Sequence, residues 1–78
     1  MGTTRLIEKI EDLELEKRQV KVLLAYLSGM GITHKIAHEL RMDAFEVESI
    51  RNYFMRKDIL EEVNGSYQVN KDTEKWKR

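Results

Sequence analysis

The six residues Met42-Asp43-Ala44-Phe45-Glu46-Val47 constrain this chain more than any other stretch. Asp43 is placed to accept a hydrogen bond from the backbone N–H of Glu46, and the Glu46 side chain to reach back to the Asp43 N–H. Met42, just ahead of the cap, can pack on Val47. A capping box and a hydrophobic staple on the same residues fix a helix start at 43–44. Just upstream, Thr33 reads as the cap of a short helix whose Ile36, Ala37 and Leu40 recur at helical spacing. Only Arg41–Asp43 remain to join the two helices. A turn that short makes them meet at a steep angle.

The rest of the chain is arranged around that unit. A first helix is expected from Thr4 to about Glu14, capped by Thr3 or Thr4, with Leu6, Ile7, Ile10 and Leu13 at helical spacing. A second covers roughly Glu16–Ser28, with Val20, Leu23, Leu24 and Leu27 on one face, and Gly29 ends it in a left-handed conformation. Apolar positions 6, 10, 13, 20, 24 and 27 also suit one continuous helix with Lys17 in the gap, so both readings stay open. Beyond Lys57 the apolar period shortens to two. "ILEEVNGSYQVN" holds two alternating runs around Asn64-Gly65, the pair favoured in type I′ turns, which predicts a hairpin at about 60–70. The closing residues KDTEKWKR are expected to form a helical turn capped by Asp72 or to fray.

Composition bounds what such a chain can do. At 78 residues it is one small domain without cysteine, so no disulfide or thiolate site supplements its core. No apolar run approaches the roughly 18 residues of a membrane span. The mixed, charged N-terminus does not read as a signal peptide, so a cytoplasmic location and no membrane partner are expected. Fourteen basic residues balance fourteen acidic ones, and the balance holds in each half: six of each in 1–40 and eight of each in 41–78. Nucleic-acid binders are usually basic, so neutrality counts against that function unless folding separates the signs. His34 and His38 stand four apart, but Lys35 follows the first and no third ligand accompanies them, so neither metal nor cofactor is expected. The sequence carries no nucleophile triad, no paired carboxylates and no glycine-rich phosphate loop. No enzymatic activity is expected.

Over residues 17–70 the sequence resembles the winged helix–turn–helix transcriptional regulators of bacteria and archaea. The resemblance rests on the helix and loop "QVKVLLAYLSGMGIT", then Ile36, Ala37, Leu40, Met42, Val47 and Ile50 at the motif's intervals, the exit "NYFMRKDIL" and the hairpin "LEEVNGSYQV". Ala37 falls where the two helices cross and a larger side chain would part them. Arg41 and Asp58 stand where the family often has glycine. The resemblance implies a mostly α fold with a small β-hairpin, a winged helix–turn–helix with an extra N-terminal helix. Residues 1–15 are then that helix and a candidate dimerisation element, 16–70 the winged domain, and 71–78 a charged tail or short helix.

By the same resemblance the chain is a sequence-specific regulator that binds double-stranded DNA. Helix 44–57 would occupy the major groove, with hairpin 60–70 as a short wing tipped by Asn64 and Gly65. With Val47, Ile50 and Phe54 turned inward, the outward face shows Phe45, Glu48, Ser49, Asn52 and Arg56, with Arg51 at its edge. Asn52 suits adenine, Glu48 can accept from cytosine N4, Ser49 is permissive, and Phe45 suits a thymine methyl. The plainer alternative has Phe45 covering the Met42–Val47 staple and Glu48 paired with a cation. Thr33, His34 and Lys35 would meet phosphate at a helix N-terminus, and Arg51, Arg56 and Lys57 would add charge. Leu6, Ile7, Ile10 and Leu13 would form a homodimer interface, or else close the back of the same domain with Trp76. A rival reading, carried by zero net charge and the carboxylates at the reading helix, is a winged-helix protein-interaction module in a transcription or replication assembly.

Overall fold

The computed structural model describes residues 2–77, with side chains from Arg5 onward. Four helices lead into a hairpin: α1 (Gly2–Asp12), α2 (Lys17–Leu27), α3 (Thr33–Leu40), α4 (Ala44–Arg56), β1 (Leu60–Val63) and β2 (Ser66–Val69), followed by one 3₁₀ turn at Thr73–Lys75. This order is compatible with a winged-helix-like layout. No helix among the described residues is long and apolar enough to cross a membrane.

Residues 4–28 form two helices. Glu14 adopts a left-handed conformation (φ 51°) that stops α1, and the Glu16 N–H opens α2 by donating to Gln19 Oε1 at 2.8 Å. Thr3 and Thr4 lie inside α1, so neither caps it, and Met1 lies outside the described residues. The buried face of α2 is Val22, Leu23, Ala25 and Tyr26; of the four residues expected to share one face, Leu23 is buried, Val20 and Leu27 are half-buried, and Leu24 is 48% exposed.

Every helix leaves through a left-handed residue: Glu14, Gly29, Arg41 and Asp58. Three of these exits make the same pair of bonds. Gly29 and Met30 N–H groups return to the Tyr26 and Ala25 carbonyls, those of Arg41 and Met42 to His38 and Ala37, and those of Asp58 and Ile59 to Met55 and Phe54. This is the Schellman closure, usually made by glycine because a Cβ is crowded in that conformation. Here glycine serves at only one of the three.

The turn at Arg41–Asp43 forms as expected, but the capping box does not. Asp43 Oδ1 accepts from the Phe45 N–H at 2.8 Å. Glu46 turns away to Arg18 Nη1, also at 2.8 Å, because a charge-assisted bond across helices outcompetes a local one. Thr33 is likewise the first residue of α3 and not its cap. The cap position is Ile32, whose hydrocarbon side chain has no acceptor to offer the first turn.

The hairpin pairs Leu60 with Val69 and Val63 with Ser66, around Asn64 (φ 52°) and Gly65 (φ 83°), the two positive φ values of a type I′ turn. It is fastened to the loop ahead of α3, where the Tyr67 N–H donates to the Gly31 carbonyl at 2.9 Å. A Cβ on Gly31 would lie 3.0 Å from Ser66 Cβ and 3.2 Å from the Tyr67 carbonyl, so only glycine admits the strand this closely. Tyr26, Phe54, Leu23, Ile36, Ile59, Val22 and Val47 are fully buried where α2, α3, α4 and the hairpin converge. The C-terminal segment is tied back by Trp76 Nε1, which donates to the Asn70 carbonyl at 2.8 Å, and by Lys77 Nζ, 3.0 Å from Asp58 Oδ2.

Candidate functional site

Helix α4 sorts its side chains by the 3.6-residue period. Val47, Ile50 and Phe54 are buried, whereas Phe45, Glu48, Ser49, Asn52 and Arg56 are exposed on the other side. Phe45 is 81% exposed and therefore does not cover the Met42–Val47 staple. Glu48 has no ion-pair partner among the described residues, so the plainer alternative fails for both side chains.

Arg51, at the edge of this face, is engaged within the chain. Its Nη1 donates to Thr33 Oγ1 at 3.1 Å, and its guanidinium carbon lies 4.7 Å from the centre of the Tyr67 ring. Nη2 and Nε both donate to Asn52 Oδ1, at 2.9 and 3.3 Å. Thr33 in turn shares a buried hydrogen bond with the Tyr26 hydroxyl at 3.0 Å, and the Tyr26 ring meets Tyr67 edge-on at 6.2 Å. One guanidinium thus joins the start of α3, the middle of α4 and the beginning of strand β2. Burial pushes the Tyr26 hydroxyl above its usual pKa, a shift partly offset by the Thr33 hydrogen bond and the Arg51 charge. No buried side-chain polar atom among the described residues lacks a partner.

Thr33, expected at a phosphate, is buried and belongs to this network. His34 and Lys35 are exposed at the start of α3, next to first-turn N–H groups that no side chain caps. Arg56 is exposed, and Lys57 lies half-buried with its Nζ 5.7 Å from the Tyr53 ring centre. Asn64 and Gly65 are exposed at the hairpin tip. Among the described residues, no three His, Asp or Glu side chains gather as a metal site.

Two features escaped the sequence reading. Glu61 and Glu62 are exposed on β1, so the hairpin beside α4 is acidic where a cationic wing would be simplest; Glu61 Oε1 accepts from Gln68 Nε2 at 3.0 Å. The period-two alternation would have exposed only one of the pair, but the hairpin is buried at its Leu60–Val69 base, and both glutamates, further out on β1, face solvent. The inward role of Arg51 was also missed, because its partners Thr33 and Tyr67 are 18 and 16 residues away along the chain.

Of the four apolar positions assigned to a dimer interface, Ile10 is buried in the chain's own core at 7% exposure, and Leu6 and Leu13 pack against that core. Ile7, 49% exposed, is the one that faces outward. The chain matches no family model, no curated protein and no solved structure.

Proposed function

We propose that this chain is a winged helix–turn–helix protein that binds duplex DNA and regulates transcription in the cytoplasm, with α4 in the major groove and the hairpin as a short wing. The observation that carries this reading is the Arg51 junction. It holds α4, the start of α3 and the hairpin as one unit while leaving the polar face of α4 exposed. A groove reader needs this combination of a rigid mount and an exposed helix face.

The exposed residues divide by task. His34 and Lys35, beside the uncapped first turn of α3, suit phosphate oxygens, and Arg56 extends that contact along the backbone. Glu48, Ser49 and Asn52 lie where base edges would be, and Phe45 offers an apolar contact at the helix tip. Because net charge is zero, affinity rests on these few cations, so binding is expected to be weak and sensitive to salt. Anisotropy titration of a labelled duplex over a range of salt tests the proposal. Lys35→Gln and Arg56→Gln should each weaken binding to all sequences alike and lower the salt slope by about one.

One specific observation favours a second reading, an adaptor that docks on a basic, apolar surface of another protein. Phe45 is almost fully exposed beside Glu48, and Glu61 and Glu62 face solvent on the hairpin. An exposed aromatic with carboxylates is a common anchor at protein interfaces. If no duplex binds at low salt, the DNA reading falls and this one replaces it.

A further inference from the structure

The geometry points to Asn52 as a reader of guanine and not of adenine, an inference that rests on the DNA reading above. Asparagine recognises adenine with both ends of its amide, Oδ1 accepting from N6 and Nδ2 donating to N7. Here Oδ1 is already taken. Two donors of the Arg51 fork, Nη2 at 2.9 Å and Nε at 3.3 Å, converge on it. Arginine has no acceptor, so whichever amide atom faces its fork must be the oxygen. The orientation follows from the identity of the partner.

What Asn52 presents outward is therefore its NH₂ group, exposed and with no acceptor among the described residues. A donor-only side chain matches the base with two adjacent major-groove acceptors, guanine O6 and N7. It matches thymine less well, since O4 is a single acceptor beside a methyl group, and adenine least, since the N6 amino group would face another donor. Arg51 is itself held by Thr33 and Tyr67 and cannot follow the amide, so re-aiming Asn52 would give up both of its hydrogen bonds to the fork. Glu48, one turn earlier on the same face, is an acceptor-only carboxylate suited to cytosine N4. The two side chains together favour a G·C-containing site over an A·T tract.

Selection of duplexes from a random pool by the intact chain at low salt tests the inference, with affinities then measured on single-base variants of the selected site. Wild type should select guanine at one position, by about tenfold over adenine. Asn52→Ala and Asn52→Asp should abolish that preference, since neither provides a donor. Asn52→Gln carries the amide beyond the Arg51 fork, frees its oxygen and should turn the preference toward adenine; Arg51→Met should do the same from the other side. Thermal melting of each variant identifies any loss of fold, and the exposed Asn52 variants decide the matter alone if Arg51→Met melts early. Selection of adenine by the wild type, or guanine selection unchanged in Asn52→Ala, overturns the inference while leaving DNA binding intact. Absence of duplex binding at low salt overturns the DNA reading and this inference with it.

Discussion

Thr33 shows how closely structure and candidate function are joined in this chain. Its hydroxyl meets Tyr26 at 3.0 Å and Arg51 at 3.1 Å, inside the fold and one residue from the exposed His34. Thr33→Val keeps the shape but strands both partners, and should cost about 1–3 kcal/mol by denaturant unfolding. Tyr26 links the same network to pH. Burial holds its hydroxyl in the neutral form, so its folded pKa lies above the unfolded value of 10.0. Its stabilising contribution is complete below pH 10 and is lost as pH rises from there through the folded pKa. Alkaline unfolding should therefore begin near pH 10 in the wild type and be less steep in Tyr26→Phe, as near-UV absorbance would report. At this scale the sequence was legible for residues whose burial or exposure is set by their own helix, such as Val47, Ile50 and Ser49. It was not for Thr33 and Arg51, whose polar partners come from distant segments and leave no periodic trace.

The elements are bounded by unusual residues in ordinary geometry. Arg41 carries the left-handed conformation that glycine adopts at no steric cost, at a penalty of about 1 kcal/mol. Arg41→Gly should raise the midpoint of thermal unfolding by that amount of stability, and Gly29→Ala should lower it comparably. If Arg41→Gly destabilises instead, the turn between α3 and α4 is not the one described. The hairpin depends on Gly31 in a different way. Gly31→Ala should push β2 off the α2–α3 loop and cost about 1–3 kcal/mol through overpacking, with part restored by Ser66→Gly. Element types and the NG turn could be read from local chemistry, since caps and turns draw on residues a few positions apart. The face of α2 could be read only in part, because Ala25 and Tyr26 fill the buried side there while the more apolar Leu24 faces outward. The fate of the capping box could not be read, since Arg18 stands 28 residues from Glu46.

Across the whole molecule, neutrality is uniform along the sequence. His34, Lys35 and Arg56 are exposed, but so are Glu48, Glu61 and Glu62. Association between copies, if it uses α1, must use Ile7. Ile7→Glu should then convert a sedimenting dimer into a folded monomer, whereas Ile10→Glu should unfold the chain because Ile10 is core. A wild type that sediments as a monomer at tens of micromolar would remove the dimer. The claim on which the functional account depends is that α4 and the hairpin present a DNA-binding face. The most direct test is to titrate a short duplex into the ¹⁵N-labelled chain at low salt and follow the backbone amides. The account predicts shifts at His34, Lys35, Phe45, Glu48, Ser49, Asn52, Asn64 and Gly65, with Ile7 and Glu74 unmoved. Amides on α4 that stay in place while duplex is added in excess would contradict it.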